Sequence, residues 1–465
     1  MSASFYFFDW LLILGYFVLL VFLSIQRRKD ADTESGYLLA GRSLTLPAFV
    51  ATLVSTWYGG ILGVGEFTYF FGIAQWFLFG FPFYVFAILF AIFLAGKVRD
   101  NKALTIPEAI GSVYGQKAGG VSAIWVFLLV SPAPYILMLG ILLQFFLGSD
   151  LPILFYSTLI AFFSAAYVGY SGFKAVVRTD LLQIVLMYGG FIMLLGFAIS
   201  EFGGVFQLWE QLPDSHRTPT GGHNLQYVLV WFFIALWTFV DPGFHQRAAA
   251  AESSKTARSG IFVSVGFWFI FDMLTLTVGL YGFVYLPALD NAPLVYPLLA
   301  ETLLPVGLKG LFFLGLLATI MSTLDSFLFL SGQTLGRDLL SRHITGISPV
   351  RITQIAIAVS AILGVILTYF FPSVISLWYV IGSVLIPGLL IPVLGVYLPW
   401  FKLHPQLALT GLLLPVIVCL VWLILGIQSG SELFDYTYLG VEPFYPGLFV
   451  AGLTLLVSKI ISGGK

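Results

Sequence analysis

Charged side chains are scarce in this sequence: they make up 9% of its 465 residues, whereas hydrophobic residues make up 59%. Soluble globular domains carry about 25% charged residues, so this composition excludes an ordinary soluble fold. The connections between the apolar stretches are short, and none is long enough to fold as a domain of its own. The sequence therefore predicts a single transmembrane domain over residues 1–465, with its function placed among the helices.

Cysteine and histidine are scarce too, which limits the chemistry. Cys419 is the single cysteine and lies in an apolar run, which excludes an internal disulfide framework and a thiolate metal cluster. The five histidines fall in connections or at the ends of apolar runs, which disfavours a membrane enzyme. The first apolar run is too long for a signal peptide core and precedes Arg27, Arg28 and Lys29, so we expect it to remain as a helix.

Long apolar runs, by contrast, are frequent. A transmembrane helix needs about 20 mainly apolar residues, and thirteen stretches come close to that length or exceed it. The sequence predicts an all-α membrane protein with about thirteen helices in the lipid bilayer. The predicted spans are Phe5 to Ile25, Leu46 to Phe71, Ile73 to Leu94, Gly120 to Phe146, Leu151 to Tyr170, Leu181 to Ile199, Tyr227 to Phe244, Ile261 to Leu286, Leu311 to Leu330, Ile352 to Phe371, Val374 to Trp400, Leu407 to Ile427 and Phe444 to Val457.

Lysine and arginine are unevenly distributed between the connections. Nineteen of the 21 basic residues, Arg247 among them, fall in alternate connections, which leaves Arg217 and Lys309 on the other side. Because cytoplasmic connections carry an excess of Lys and Arg, this asymmetry predicts an N-terminus outside and a C-terminus in the cytoplasm. An odd number of spans agrees with termini on opposite sides. The predicted location is the plasma (inner) membrane, with multiple passes.

Two predicted spans are interrupted by helix-breaking residues. The second contains "STWYGGILGVG", Ser55 to Gly65, and the seventh ends in "WTFVDPGFHQR", Trp237 to Arg247. Irregular backbone at membrane depth is tolerated where it lines a cavity, although glycines also simply allow helices to pack closely. The second and seventh spans hold corresponding positions if the core is two five-helix repeats of opposite orientation, and broken helices in such repeats mark the binding site.

The ninth span carries a polar stripe. Thr319, Ser322, Thr323 and Ser326 lie at i, i+3, i+4 and i+7, which places four hydroxyls on one helix face, and Asp325 borders that face. A carboxylate at this depth costs about 2.5 to 3.5 kcal/mol and needs a partner or a task. Hydroxyls in helices often bond only to their own i−4 carbonyl. With the acid present, the pattern favours a site for a small hard cation or a proton.

Further acids are expected at membrane depth. Glu66 follows the glycines of the second span, Asp272 lies in the middle of the eighth, and Asp180 lies at the cytoplasmic start of the sixth. We expect no Lys or Arg inside the spans to neutralise them, and an excess of buried acid favours a bound cation or proton. Because no hydroxyl pattern surrounds Asp272, we expect it to be protonated or hydrogen-bonded in a structural role.

These features resemble the sodium:solute symporter family, whose members carry proline, sugars, sialic acid, pantothenate and choline. The resemblance implies the leucine-transporter-type fold of two inverted five-helix repeats, at 46–199 and 227–400, with an extra N-terminal helix at 5–25 and two C-terminal helices at 407–457. Besides the second span, the matching segments are "SGYLLAGRSL" (Ser35 to Leu44), "SGFKAVVRTDLLQ" (Ser171 to Gln183), "FHQRAAAAESSKTARSG" (Phe244 to Gly260), "MSTLDS" (Met321 to Ser326) and "EPFYPG" (Glu442 to Gly447).

The resemblance also implies two sites for Na⁺. The main sodium site would use the hydroxyls of Ser322 and Thr323 and the carbonyls of Thr319, Ser55 and Tyr58. Some sialic acid carriers of the family hold a second sodium, and the matching positions here are Asp180, Ser322, Asp325 and Ser326. Two carboxylates around one monovalent ion leave a net negative charge, so one would be protonated or paired with a base such as Arg178.

The solute site is expected at the two breaks, at Trp57, Gly59, Gly60, Glu66 and Trp237. "TWYGG" is similar to the choline branch of the family, and Trp57, Tyr58 and Trp237 would suit a quaternary ammonium group through cation–π attraction. Ile234 is apolar where sugar carriers place a polar residue, which weakens the case for a sugar. An amino acid, a carboxylate or another small polar solute remains open.

The function implied is sodium-coupled symport of a small polar organic solute into the cell by alternating access. The partners expected are that solute, sodium ions and the bilayer, with no enzyme activity, no nucleic acid and no obligatory protein partner. A proton-coupled carrier of the same fold is the nearest alternative, because Glu66, Asp272 and Asp325 could each take up a proton. A sensor or a channel on this fold is disfavoured, since the sequence shows neither a cytoplasmic signalling segment nor a continuous polar pore.

Overall fold

The computed structural model describes residues 3–25, 33–148, 150–370, 373–430 and 436–463. Twelve helices in these ranges are long and apolar enough to cross a membrane, so the chain is a multi-pass membrane protein. A shorter apolar helix, α1, precedes them at Phe7–Ile25. The twelve are α2 Leu46–Phe71, α3 Trp76–Asp100, α4 Gln116–Leu147, α5 Ile153–Tyr170, α6 Phe173–Phe202, α7 Leu225–Ala250, α8 Ser254–Tyr285, α9 Leu308–Leu340, α10 Pro349–Phe370, α11 Val374–Tyr397, α12 Pro405–Gln428 and α13 Phe444–Gly463.

Twelve of the predicted spans thus appear as long apolar helices, and the ends of each lie within about three helical turns of the predicted ends. The remaining predicted span, Phe5 to Ile25, corresponds to the shorter helix α1, so the count of thirteen spans and the sidedness of the termini stay predictions. The basic cluster Arg27, Arg28 and Lys29, the last predicted residue of the tenth span, Phe371, and Lys465 lie outside the described residues.

Both predicted breaks are present. In α2, two α-helical segments, Leu46–Trp57 and Ile61–Phe71, are joined by one tight 3-10 turn, Tyr58–Gly60. In α7, Asp241 has extended backbone (φ −70°, ψ 116°) because Pro242, which follows it, disfavours helical backbone at the preceding residue. The helix resumes as Pro242–Ala250, and the Asp241 carboxylate caps it by accepting a hydrogen bond from the Phe244 N–H at 2.8 Å.

A third break, in α4, was not predicted. Its α-helical segments Gln116–Leu129 and Ala133–Leu147 are separated at Ser131-Pro132. The apolar run continues across this point without a glycine or a charge, so hydropathy alone does not reveal the break. Two prolines in "SPAP", which lack an N–H to donate, are its local cause.

Helix α9 lies at the centre of the bundle, and nearly all of its side chains are buried. It packs against α1, α2, α5, α6 and α10. Helix α1 is fastened to the N-terminal end of α9 by Asp9, whose buried carboxylate accepts hydrogen bonds from the N–H groups of Gly307 and Gly310, both at 2.8 Å. The polar stripe predicted in the ninth span therefore faces protein on all sides.

The other end of α9 holds an ion-pair cluster. Arg337 pairs with Glu34, with Glu108 at 3.1 Å and with its neighbour Asp338 at 2.9 Å. Glu34 precedes α2, and Glu108 lies on a short helix, Ile106–Tyr114, in the connection between α3 and α4. One arginine thus ties two connections to the end of the central helix.

Candidate functional site

The hydroxyl stripe of α9 is fully buried, and three of its four members bond to other helices. Thr319 is the member that bonds within its own helix, because its hydroxyl donates to the Gly315 carbonyl, four residues earlier, at 2.7 Å. Ser322 donates to the carboxylate of Asp180 in α6 at 2.5 Å. Thr323 donates to the backbone carbonyl of Thr56 at 2.7 Å. The stripe therefore links α9 to neighbouring helices, and most of its hydroxyls do more than bond to carbonyls of α9 itself.

Thr323 packs directly against the break of α2. A Cβ added to Gly59 would lie 2.1 Å from the Thr323 Cβ, so glycine is required there for this contact. The hydroxyl of Ser55 donates to the Ala51 carbonyl at 2.8 Å, and the Tyr58 hydroxyl points to α8. The Tyr58 side chain is thus engaged with α8, and the use of the Ser55 and Tyr58 carbonyls as cation ligands stays a prediction.

Asp180 lies beside this contact and shares a hydrogen-bond chain with a buried base. The Thr52 hydroxyl donates to one oxygen of Asp180, and Ser322 donates to the other. Thr52 in turn accepts a hydrogen bond from Arg247 at 3.2 Å. Asp180, Ser322 and Arg247 therefore belong to one network that connects α6, α9 and α7.

Arg247 corrects the expectation that the spans contain no buried base. The sequence suggested a cytoplasmic connection, but Arg247 is fully buried in α7. Its guanidinium donates to Thr56 and to Ser326, both at 2.8 Å, and lies over the Phe173 ring at 5.2 Å. The helix continues after the Asp-Pro-Gly break, which carries Arg247 back into the bundle. Arg247 is thus a base that reaches Asp180 through Thr52, and the sequence did not suggest it.

Asp325 faces a different set of helices from the rest of the stripe. One of its oxygens accepts a hydrogen bond from Tyr167 in α5, and the other, Oδ1, has no partner among the described residues. The Ser164 hydroxyl lies close to both groups but meets hydrogen-bond geometry with neither. The structure therefore brings Asp180 and Ser322 together. Asp325 instead contacts Tyr167, and Ser326 contacts Arg247.

Asp272 of α8 is hydrogen-bonded, as expected. The Tyr58 hydroxyl donates to its Oδ1 at 2.9 Å, and the Tyr84 hydroxyl donates to its Oδ2. Both donors belong to other helices, α2 and α3, so the carboxylate holds three helices together. It also lines the central cavity described next.

A central cavity lies between the two breaks. Trp57 and Gly60 of α2 and Trp237 of α7 line it, and all three are among the residues predicted for the solute site. The Trp57 ring is packed edge-on against Phe83, with ring centroids 4.8 Å apart. Residues that sequence reasoning missed also line this cavity: Trp231, Asp241, Arg247, Tyr135 and Trp378.

Two residues predicted for the solute site lie elsewhere. Gly59 packs on Thr323 and does not line the cavity. Glu66 lines a separate pocket, with Phe67, Phe70, Phe71, Tyr227 and Ile375, two turns further along α2.

The chain resembles known proteins over most of its length. The model of the sodium:solute symporter family matches residues 37–415. A sodium/glucose cotransporter of Vibrio parahaemolyticus is 25% identical over 70% of this chain and 66% of its own length. The high-affinity choline transporter 1 of Drosophila melanogaster is 25% identical over 78% and 62%. A sodium/proline symporter of Haemophilus influenzae is 26% identical over 65% of each chain. The chain thus spans less than two thirds of the length of these relatives.

The fold is that of solved sodium-coupled symporters. A sodium-coupled sialic acid symporter, in a substrate-bound outward-open state, superposes with a TM-score of 0.80 at 17% identity and covers 98% of both chains. Mhp1, a transporter of the nucleobase-cation-symport-1 family, superposes with a TM-score of 0.60 at 12% identity and covers 91% of this chain and 93% of its own. At such identities the likeness establishes the architecture alone.

Proposed function

This chain belongs to the sodium:solute symporter family, and from that premise we propose that it carries a small organic solute into the cell together with sodium, by alternating access. The contact of Thr323 with the Thr56 carbonyl at the break of α2 carries this proposal. It joins the hydroxyl stripe of α9 to the interrupted backbone of α2. Carriers built from inverted repeats bind their ions at such interrupted helices.

The proposed main sodium site consists of the Ser322 and Thr323 hydroxyls and the carbonyls of Thr319, Ser55 and Tyr58. Hydroxyl and carbonyl oxygens are hard ligands suited to sodium. The Ser322 and Thr323 hydroxyls donate hydrogen bonds to Asp180 and to the Thr56 carbonyl, which leaves lone pairs on both hydroxyl oxygens for a cation. The Asp180 carboxylate accepts a hydrogen bond from Ser322, and its negative charge would favour an ion bound there.

A second sodium site stays a prediction. The contacts of the four residues predicted for it do not support it equally. Arg247 already supplies a positive charge to Ser326 and, through Thr52, to Asp180. Asp325 has no base among the described groups that contact it, and its Oδ1 has no partner there. Asp325, of the four predicted residues, therefore supports a second cation most strongly.

The proposed setting is the plasma membrane, with the solute, sodium and lipid as partners and with no chemical reaction catalysed. The alternative is that a proton gradient, in place of a sodium gradient, drives transport, and the experiment must distinguish the two. The purified chain in liposomes would be tested with the solutes named for its relatives: glucose, choline, proline and pantothenate. We expect an inward sodium gradient to drive accumulation of at least one of them. Accumulation that is equal in potassium, or that follows a proton gradient alone, would contradict the proposal.

A further inference from the structure

A second cavity, of about 220 Å³, lies between α4, α9, α10, α11 and α12. Among the described residues, none that lines it also lines the central cavity, and none is predicted to bind sodium. Ser131 of α4, Ser360 of α10 and Val416 of α12 line it, and each lies near the middle of its membrane-spanning helix. The cavity therefore lies deep in the membrane and apart from the proposed transport site.

The mouth of this cavity faces lipid. Leu128 of α4 is 40% exposed, and Leu363 of α10 and Leu420 of α12 are each 39% exposed, and all three line the cavity. Because these helices cross the membrane, side chains exposed near their middles meet the hydrocarbon core of the bilayer. A ligand therefore enters this cavity from the bilayer, which selects for lipophilic molecules.

The wall of the cavity is mainly apolar. Val380, Val384 and Leu385 of α11 form one side of it. The indole N–H of Trp125, a polar group on the opposite side, already donates to the Leu412 carbonyl at 3.1 Å. Apolar cavities of about 150 Å³ exclude water and bind small molecules such as benzene. The present cavity is larger, so it can hold an aromatic ring with a short apolar substituent.

Two hydroxyls on this wall lack hydrogen bonds. Ser331 of α9 and Ser360 of α10 are fully buried, and neither hydroxyl has a partner among the described residues. Serine hydroxyls in helices often bond to a carbonyl of the preceding turn, which would satisfy them locally. An unpaired buried hydroxyl is costly, so a ligand that pairs with it is favoured. Ser360 and Leu363 lie three residues apart on one face of α10, so a ligand that enters past Leu363 meets the Ser360 hydroxyl.

We propose that this cavity binds a lipophilic alcohol or phenol from the bilayer, with its apolar body against α11 and its hydroxyl hydrogen-bonded to Ser360. A phospholipid acyl chain carries no polar group at this depth and would leave the serine unpaired, so it fits the apolar wall but not the hydroxyl. The proposal does not depend on sodium or on the transported solute.

The test is thermal unfolding of the purified full-length chain in lipid nanodiscs with two matched probes. The probes are 4-propylphenol and propylbenzene, which lacks the hydroxyl, with the amount of each in the membrane matched. We expect 4-propylphenol to raise the unfolding midpoint in a saturable manner, and propylbenzene to raise it much less. An equal response to the two probes, as simple filling by hydrocarbon would give, or no response to 4-propylphenol would overturn the proposal.

Variants locate the site on Ser360. Ser360→Ala removes the hydroxyl and keeps the apolar wall. Ser383→Ala is the matched control, because Ser383 is also buried without a hydrogen-bond partner among the described residues but does not line the cavity. We expect Ser360→Ala to weaken the apparent affinity for 4-propylphenol about tenfold, as the loss of one hydrogen bond implies, and Ser383→Ala to leave it unchanged.

A third variant tests the volume of the cavity. Val380→Phe adds side-chain volume to the cavity wall. We expect it to abolish the stabilisation by 4-propylphenol, because the ring of the probe no longer fits. Unchanged affinity for 4-propylphenol in Ser360→Ala, or in Val380→Phe, would overturn the proposal.

Discussion

The guanidinium of Arg247 lies 2.8 Å from the hydroxyl of Ser326, inside the bundle and out of contact with solvent. This contact joins the helix segment that follows the α7 break to the hydroxyl stripe of α9. It also places a fixed positive charge one helical turn from Ser322, the residue expected to bind sodium. Buried charges are costly unless they are paired and fully hydrogen-bonded. We therefore expect the negative charge of Asp180 to offset the cost of burying the Arg247 guanidinium.

Replacing Arg247 tests that dependence. Arg247→Gln should destabilise the chain by about 3 to 5 kcal/mol, because Asp180 would remain buried without a compensating charge. The double variant Asp180→Asn with Arg247→Gln should be more stable than Arg247→Gln alone. The measurement is the thermal midpoint of the wild type, of both single variants and of the double variant. Destabilisation of the double variant equal to the sum of the two single effects would show that the two charges are not coupled.

Gly59 tests the contact between the α2 break and α9. Gly59→Ala places a methyl group 2.1 Å from the Thr323 Cβ, so either α2 or α9 must move. We expect the sodium concentration for half-maximal stabilisation to rise at least tenfold. Gly266→Ala is the matched control, since nothing lies within 4 Å of its added Cβ. An unchanged sodium response in Gly59→Ala would separate this turn from the sodium site.

Asp325 tests the second cation. If a second sodium binds at its unpartnered oxygen, sodium activation of transport should have a Hill slope above one in the wild type. Asp325→Asn should then lower that slope to about one while sodium dependence itself survives. A wild-type slope of about one, together with a charge-to-solute ratio that fits a single sodium, would mean that Asp325 is structural.

Glu442 gives a pH dependence outside the membrane-spanning helices. Burial raises the pKa of this side chain to about 7, and its Oε2 has no partner among the described residues. The folded chain therefore holds the proton more tightly than the unfolded chain does. Stability should be highest below the ordinary pKa of glutamate and should fall by on the order of 3 kcal/mol as the pH rises through 7.

The check on Glu442 is the thermal midpoint between pH 5 and pH 8. The wild type should lose stability across this range, and Glu442→Gln, which stays neutral, should lose much less. The backbone N–H of Glu442 donates to Gln226 at 3.1 Å, so the variant keeps this link between α7 and the connection before α13. Parallel pH profiles for the two proteins would contradict the assignment.

The sequence predicts the long helices well because an apolar run of span length has no other stable form in a bilayer. It also predicts the two breaks with strong local chemistry, at Tyr58–Gly60 and at Asp241. The break at Ser131 was missed, since its surroundings stay apolar. The sequence analysis wrongly assigned Arg247 to a connection, because the residues around it resemble a polar connection. Arg247 is buried because the helix of α7 resumes at Pro242.

The site is predictable in part for the same physical reasons. A single helix fixes the mutual positions of Thr319, Ser322 and Thr323, so their common face follows from spacing. Partners on other helices do not follow from spacing. The pairing of Asp325 with Tyr167 and the separation of Glu66 from the cavity depend on how helices rotate against one another, and a sequence pattern does not encode that rotation.

The most direct test of the account is sodium-driven uptake by the double variant Ser322→Ala and Thr323→Ala in liposomes. The variant removes the two hydroxyl ligands and leaves the backbone carbonyls in place. Ser331→Ala is the control for folding and insertion, because it removes a buried hydroxyl further along α9 that has no hydrogen-bond partner among the described residues. The account predicts that sodium-dependent uptake is abolished in the double variant and kept in Ser331→Ala. Uptake with unchanged sodium dependence in the double variant would contradict it.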